Sequence, residues 1–192
     1  MEIYFQLVRD AEGLKTACDE LSNARFLGFD VETTALDPYK GDLRLVQLSD
    51  GTNTKVIDLK AFGGRGSLAT DPALAPLREI LASNAQTKIA HNAKFDTKWV
   101  RHHLGTEVGG VYDTYLASIL ISAGEGERRH GLAGIEQAPG IEGTLHGMEL
   151  LKLRALELHA HLVDLLHADT VLAGDCAADL DAQFENLAAE FF

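Results

Sequence analysis

Two acids one residue apart, Asp30-Val31-Glu32, end an almost wholly apolar run, Arg25-Phe26-Leu27-Gly28-Phe29. On a strand, residues i and i+2 point to the same face, so the two carboxylates stand side by side. Like charges so placed repel in a half-buried setting, and a divalent cation relieves them. Ligands that are oxygen alone select Mg²⁺ or Mn²⁺ over Zn²⁺. Asp-x-Glu arises by chance in many chains and also fits two solvated carboxylates at a strand end. Its neighbours give it weight. The chain continues as Thr33-Thr34-Ala35-Leu36-Asp37-Pro38, then Leu43-Arg44-Leu45-Val46-Gln47-Leu48-Ser49. Farther on, Ile89-Ala90-His91-Asn92-Ala93-Lys94-Phe95-Asp96 is a second short apolar run that ends on polar residues and an acid, and Tyr112-Asp113-Thr114 follows.

The elements that must position these acids are short apolar runs alternating with amphipathic stretches, the pattern of an α/β domain. Strands are expected over residues 2–8, 25–32, 43–48, 55–59 and 87–90. Helices are expected over 11–21, behind an Asp10 N-cap, and over 72–81, with Asp71 preceding a proline at the first helical position. Two more are expected over 93–104 and 113–122. Gly63-Gly64-Arg65-Gly66-Ser67 reads as a loop. Beyond Gly124 the texture changes: 124–147 is rich in Gly and Glu, 148–166 is strongly helical, and 169–187 reads as a last helix. No repeat or long linker interrupts the chain, so a single domain over 1–192 is expected.

Composition narrows the classes. The chain has 192 residues, 46% hydrophobic and 24% charged, a make-up that excludes disorder. Seventeen Lys+Arg against 29 Asp+Glu give a net charge of −12, the opposite of a protein that holds nucleic acid by counterion release alone. An acidic protein meets phosphates through metal ions and a local basic patch. The cysteines, Cys18 and Cys176, exclude a disulfide scaffold and point to a reducing compartment. No apolar run approaches the roughly 20 residues of a membrane span, and the start lacks the basic residues of a signal peptide. A cytoplasmic protein with no membrane partner is expected.

Taken together, these motifs resemble the DEDD exonucleases, closest to ribonuclease D and the proofreading domain of family A DNA polymerases. The 30–38 stretch matches that family's opening motif nearly residue for residue, with Ala35 where glycine is usual, and 91–96 matches its His-Asn-x-x-Phe-Asp motif. The resemblance is firm over 25–120, whereas 125–192 is atypical. It implies a ribonuclease H-like fold, a mixed five-stranded sheet flanked by helices. It also implies release of mononucleotides from a single-stranded 3′ end of DNA or RNA by two divalent cations, Mg²⁺ or Mn²⁺, about 4 Å apart. Asp30, Glu32 and Asp96 match three of the family's four metal-binding acids. Asp30 would bridge both ions, Glu32 would bind the nucleophile-side ion, and Asp96 would bind the other. Thr33 and Thr34 would line the nucleotide pocket, Leu36 would wedge against the terminal base, and Asn92 and Phe95 would contact the strand end. Phe95 fits equally as core. His91 reads as a packed, hydrogen-bonded histidine, and Asp113 as a helix N-cap.

The third motif departs from the family. Its tyrosine branch carries Tyr-x-x-x-Asp, but all four tyrosines (Tyr4, Tyr39, Tyr112, Tyr115) precede Gly124. The best match is Asp175-Cys176-Ala177-Ala178-Asp179, with Asp179 as fourth acid and Asp175 at the position of the base. The alternative is His159-Ala160-His161-Leu162-Val163-Asp164, with the His-x-x-x-x-Asp spacing of the histidine branch, His159 serving as base and Asp164 as acid. Asp179 is preferred, and both stretches also fit a solvated helix face. A positioned base is worth about 10²–10⁴-fold, so a weakened or inactive module that binds nucleic-acid ends is the rival reading. Lys88, Lys94, Lys98, Arg101, His102 and His103 gather around the second motif. Lys94, Lys98 and Arg101, at i, i+4 and i+7, form one helical stripe that would track a phosphate backbone or serve as a solvated face. Arg128, Arg129 and His130 form a second small cluster. No feature identifies a protein partner.

Overall fold

The computed structural model describes residues 5–121, and those up to Ala117 form one compact unit. Six strands make one sheet: β1 (Phe5–Val8), β2 (Phe26–Thr33), β3 (Leu43–Ser49), β4 (Thr54–Asp58), β5 (Thr87–Ala90) and β6 (Val111–Asp113). Their order is β1-β4-β3-β2-β5-β6. The β4–β3 and β3–β2 pairs are antiparallel, and the other three are parallel. The sheet is mixed, as expected, and it has one strand more than the expected five. The added strand is β6, whose three residues are too few to show a periodicity and lie where the helix over 113–122 was expected to begin.

Among the described residues four α-helices accompany the sheet: α1 (Ala11–Leu21), α2 (Ala75–Ala82), α3 (Lys94–Leu104) and α4 (Thr114–Ile121). Asp10 caps α1 as its sequence position suggests, accepting from Gly13 N at 2.8 Å. The helix expected over 72–81 begins as a single 3₁₀ turn, Pro72–Leu74, capped by Asp71, before α2. The apolar stripe of α1 (Leu14, Ala17, Cys18, Leu21) is buried, and α1 packs against α2. The core collects Leu27, Phe29, Val46, Ile57, Leu77 and Trp99. Among the described residues no helix is long and apolar enough to cross a membrane.

Every residue of β3 and β4 is buried, including charged ones. Arg44 in β3 pairs with Asp58 at the end of β4, and Lys55 reaches Gln6 Oε1 at 2.7 Å and the Glu20 carboxylate. The Arg44–Asp58 pair ties β3 to β4, and the Lys55 contacts tie β4 to β1 and α1; β3 in turn pairs with β2, the strand that carries Asp30.

Candidate functional site

Asp30 and Glu32 lie in the last turn of pleat of β2, on one face, as the period of two requires. The β2–β3 ladder sets Asp30 opposite Gln47, and a bulge interrupts the register between Glu32 and Thr33. Bulges re-aim side chains next to a site. Gln47 is buried and donates from Nε2 to Asp30 Oδ2 at 3.3 Å. The sequence reading missed Gln47. Only the cross-strand register identifies it, because it lies 17 residues from Asp30.

Asp96 reaches the same place from another element. The β5 ladder along β2 ends at Gly28, and beyond it the Val31 N–H is taken by Asp96 Oδ1 at 3.2 Å. Asp96 sits in the first turn of α3 and is 4% exposed. Its carboxyl is pushed up to about 7, first by burial and then by the negative charges of Glu32 and Asp113, against the pull of backbone N–H groups. Asp30 is held well above the usual carboxylate range by the surrounding protein and by Asp96 and Glu32. Asp30 nevertheless keeps a face open to solvent, so an ion can reach it. Its repulsion from the two neighbours is the part of the shift that a cation would relieve.

Asp30, Glu32 and Asp96 therefore share one electrostatic neighbourhood, built from β2 and α3. Among the described residues no three His, Cys, Asp or Glu side chains close into a complete metal-binding set. Asp164, Asp175, Asp179 and His159 lie outside the described residues.

The second motif is shaped by its backbone. Asn92 adopts φ +60°, a left-handed conformation that asparagine tolerates better than most residues. Asp113, set opposite Ala90 by the β5–β6 pairing, holds this turn. Its carboxylate accepts from Asn92 N at 3.1 Å, Ala93 N at 2.9 Å and Tyr115 N at 2.9 Å. It thus caps α4, as expected of it, and also clamps the entrance to α3. His91 is packed edge-on to Tyr115 with ring centroids 5.7 Å apart. The Thr114 hydroxyl donates to the Ala90 carbonyl at 3.1 Å and so accepts from His91 Nδ1 at 3.0 Å. Burial lowers the imidazole's pKa despite Asp113. Phe95 is half-buried against the core and tilted toward Trp99, with ring centroids 6.1 Å apart.

The loop between β2 and β3 carries the remaining candidates. The Thr33 hydroxyl donates to the Ala35 carbonyl at 2.9 Å, and Thr34 Oγ1 accepts from Asp42 N at 2.8 Å. Both side chains thus brace the loop, while Leu36 projects from it, 59% exposed. Ala35 occupies the family's glycine position, and Gly41 makes room for it. A Cβ built on Gly41 would stand 2.6 Å from the Ala35 Cβ and 3.0 Å from the Trp99 ring. Gly41→Ala is expected to cost roughly 1–3 kcal/mol, read as a lower thermal midpoint. Adding Ala35→Gly should recover part of the loss, and a fully stable single variant would refute this packing.

The basic residues divide. Lys88 does not belong to a surface patch: it is fully buried and donates to the Ser83 and Gln86 carbonyls. The residues before β5 bend back over it, and no sequence periodicity shows that. Lys94, Lys98 and Arg101 are exposed, as a stripe requires. Lys98 donates to the Leu36 carbonyl at 3.3 Å and lies over the Phe95 ring at 5.4 Å. Arg101 pairs with Glu107 at 3.0 Å on the open surface.

With this geometry in view, the chain belongs to the 3′-5′ exonuclease family, whose model matches residues 5–138. That is a family of nucleic-acid hydrolases, and its kinship extends to both polymerase and ribonuclease branches. DNA polymerase I of Aquifex aeolicus (strain VF5) is 36% identical over 129 residues, 67% of this chain and 19% of that protein. Ribonuclease D of Zymomonas mobilis subsp. mobilis is 28% identical over 120 residues, 62% of this chain and 29% of that protein. The chain therefore spans less than a third of these relatives' length. Among solved structures, Brucella melitensis NrnC bound to pGG shares the fold, with a TM-score of 0.54 and 22% identity over 96% of this chain and 89% of that one. The same protein has been solved with bound Mg²⁺.

Proposed function

We propose that this chain hydrolyses phosphodiester bonds at the 3′ end of single-stranded DNA or RNA, using two divalent cations, Mg²⁺ or Mn²⁺. The observation that carries this reading is the crowding of Asp30, Glu32 and Asp96, with Asp96 almost fully buried and its carboxyl pushed up to about 7. Such an arrangement is costly without a cation, and its all-oxygen donors fit Mg²⁺ or Mn²⁺. Asp30, Glu32 and Asp96 would hold the ions, with Asp179 as the fourth acid, or Asp164 in its place. Cations bound there supply a water of lowered pKa and stabilise charge on the leaving oxygen.

This chain's own residues do the positioning. Gln47 orients the Asp30 carboxylate, and the Val31 N–H orients that of Asp96. Asp113 fixes the turn that carries Asn92 and leads into α3. Thr33 and Thr34 brace the loop that presents Leu36 to the terminal nucleotide, and Phe95 borders it. Lys98 and Lys94 would meet the phosphates. Asp175 or His159 would take the proton. The magnesium and pGG held by Brucella melitensis NrnC support both the ion and the ligand class.

End-labelled DNA and RNA oligonucleotides, in a length series with pGG as the shortest member, test the proposal in Mg²⁺ or Mn²⁺. The wild type should shorten them stepwise from the 3′ end, and Asp30→Ala or a chelator should stop it. Equal products from wild type and Asp30→Ala would defeat the proposal. Binding of 3′ ends without any shortening would favour the non-catalytic module instead.

A further inference from the structure

The β2–β3 loop has a tightly held backbone and yet presents its largest side chain to solvent. From within, Asp37 accepts from Tyr39 N at 3.0 Å through its carboxylate, and from Lys40 N and Gly41 N at 2.9 and 3.1 Å through its carbonyl. From α3, Lys98 holds the Leu36 carbonyl. Arg65, from the glycine-rich loop, donates to the Gly41 carbonyl and pairs with Asp42 at 3.3 Å. Inside this frame Tyr39 is 74% exposed. Its ring meets His102 with centroids 4.5 Å apart and planes at 61°, and His102 is itself exposed.

An exposed aromatic ring on a fixed backbone, braced from one side, loses little conformational freedom when a flat ligand covers it. Its placement suggests which ligand. Phe95, Lys98 and His102 follow at i, i+3 and i+7 on one side of α3, so His102 stands roughly 10 Å along the helix from Phe95. Lys98 lies between them as a cation. Leu36, whose carbonyl Lys98 holds, and Tyr39, whose ring meets His102, belong to the same loop. Two exposed apolar groups separated by a basic side chain match two successive bases joined by a phosphate.

We propose that Tyr39, backed by His102, is a stacking platform for the nucleobase next to the terminal one. The proposal rests on the nuclease reading and deepens it. Stacking on an aromatic face tolerates any base, so the platform distinguishes base from no base rather than one base from another. The tyrosine hydroxyl is not required.

The test uses oligonucleotides that carry an abasic residue second or third from the 3′ end. In the wild type the second-position lesion should raise KM about tenfold, and the third-position lesion should have little effect. Tyr39→Ala should raise KM for the intact strand by a similar factor and erase the second-position penalty, the signature of a direct contact. Tyr39→Phe should preserve both values. Fluorescence anisotropy with the same strands, without divalent cation, reads the penalty independently of turnover. A wild type that binds and cleaves both second-position strands equally well, or a Tyr39→Ala variant that retains the full penalty, overturns the platform. Absence of cleavage with the binding penalty intact overturns the nuclease reading and leaves the platform standing.

Discussion

Asp96→Asn is expected to reduce exonuclease turnover by about 10³-fold or more and, in the same protein, to strengthen the fold above neutral pH. The activity loss follows from removing a charge that would hold a cation against the developing negative charge, worth several kcal/mol at the transition state. The stability gain follows from the raised carboxyl, at about 7 in the folded protein. In the unfolded chain the same group titrates at its ordinary value near 4. Between about 4 and 7 the folded state therefore keeps a proton that the unfolded state has released, and stability falls as pH rises through that window before levelling off above it. Asn cannot ionise, and its side-chain oxygen can still accept from Val31 N. The variant should therefore lack this decline and gain roughly 2 kcal/mol at pH 8 without metal, after allowing for coupling to Asp30. Urea unfolding at pH 4 to 8 with chelator measures the slope. Mg²⁺ should stabilise the wild type more than the variant. A variant with the wild-type slope, or with wild-type turnover, would defeat this account.

What was readable beforehand was local. Asp30 and Glu32 share a face because a strand repeats every two residues, and Asp96 enters at the first turn of a helix that follows a short apolar run. Each of these inferences needs fewer than ten consecutive residues. What escaped depends on chain segments meeting. Gln47 touches Asp30 only because the antiparallel register places them opposite each other. Lys88 sits in the stretch that suggested a basic patch, but backbone carbonyls from the turn before β5 enclose it. Strand β6 is three residues long and owes its conformation to pairing with β5. Ala35 looked like a departure from the family's glycine, and the space that accommodates it is provided by Gly41, six residues on. The fold class and the placement of Asp30, Glu32 and Asp96 on their strand and helix were thus accessible from pattern, and the support around them was not.

The largest loss of stability is expected from Asp58→Ala. The Asp58 carboxylate, on a residue 3% exposed, takes Arg44, on a residue 6% exposed, together with Arg9 Nε at 3.1 Å and Lys60 N at 3.1 Å. Deleting it strips the counter-charge from a guanidinium enclosed within β3, which typically costs roughly 3–5 kcal/mol. A whole domain has only about 5–15 kcal/mol to lose. Replacing both partners by apolar residues, as in Arg44→Met with Asp58→Leu, should recover most of that cost, because neither charge is then buried. The pair also bears on the candidate site. It joins β3 to β4 at the end where Leu45 faces Asp58, two residues from Gln47 and beside the bulge that aims Glu32. Asp58→Ala should therefore lower the temperature at which activity is lost in parallel with the unfolding midpoint, and the double variant should restore both. A single variant within 1 kcal/mol of wild type by urea unfolding would show that the buried pair does not hold β3 in place.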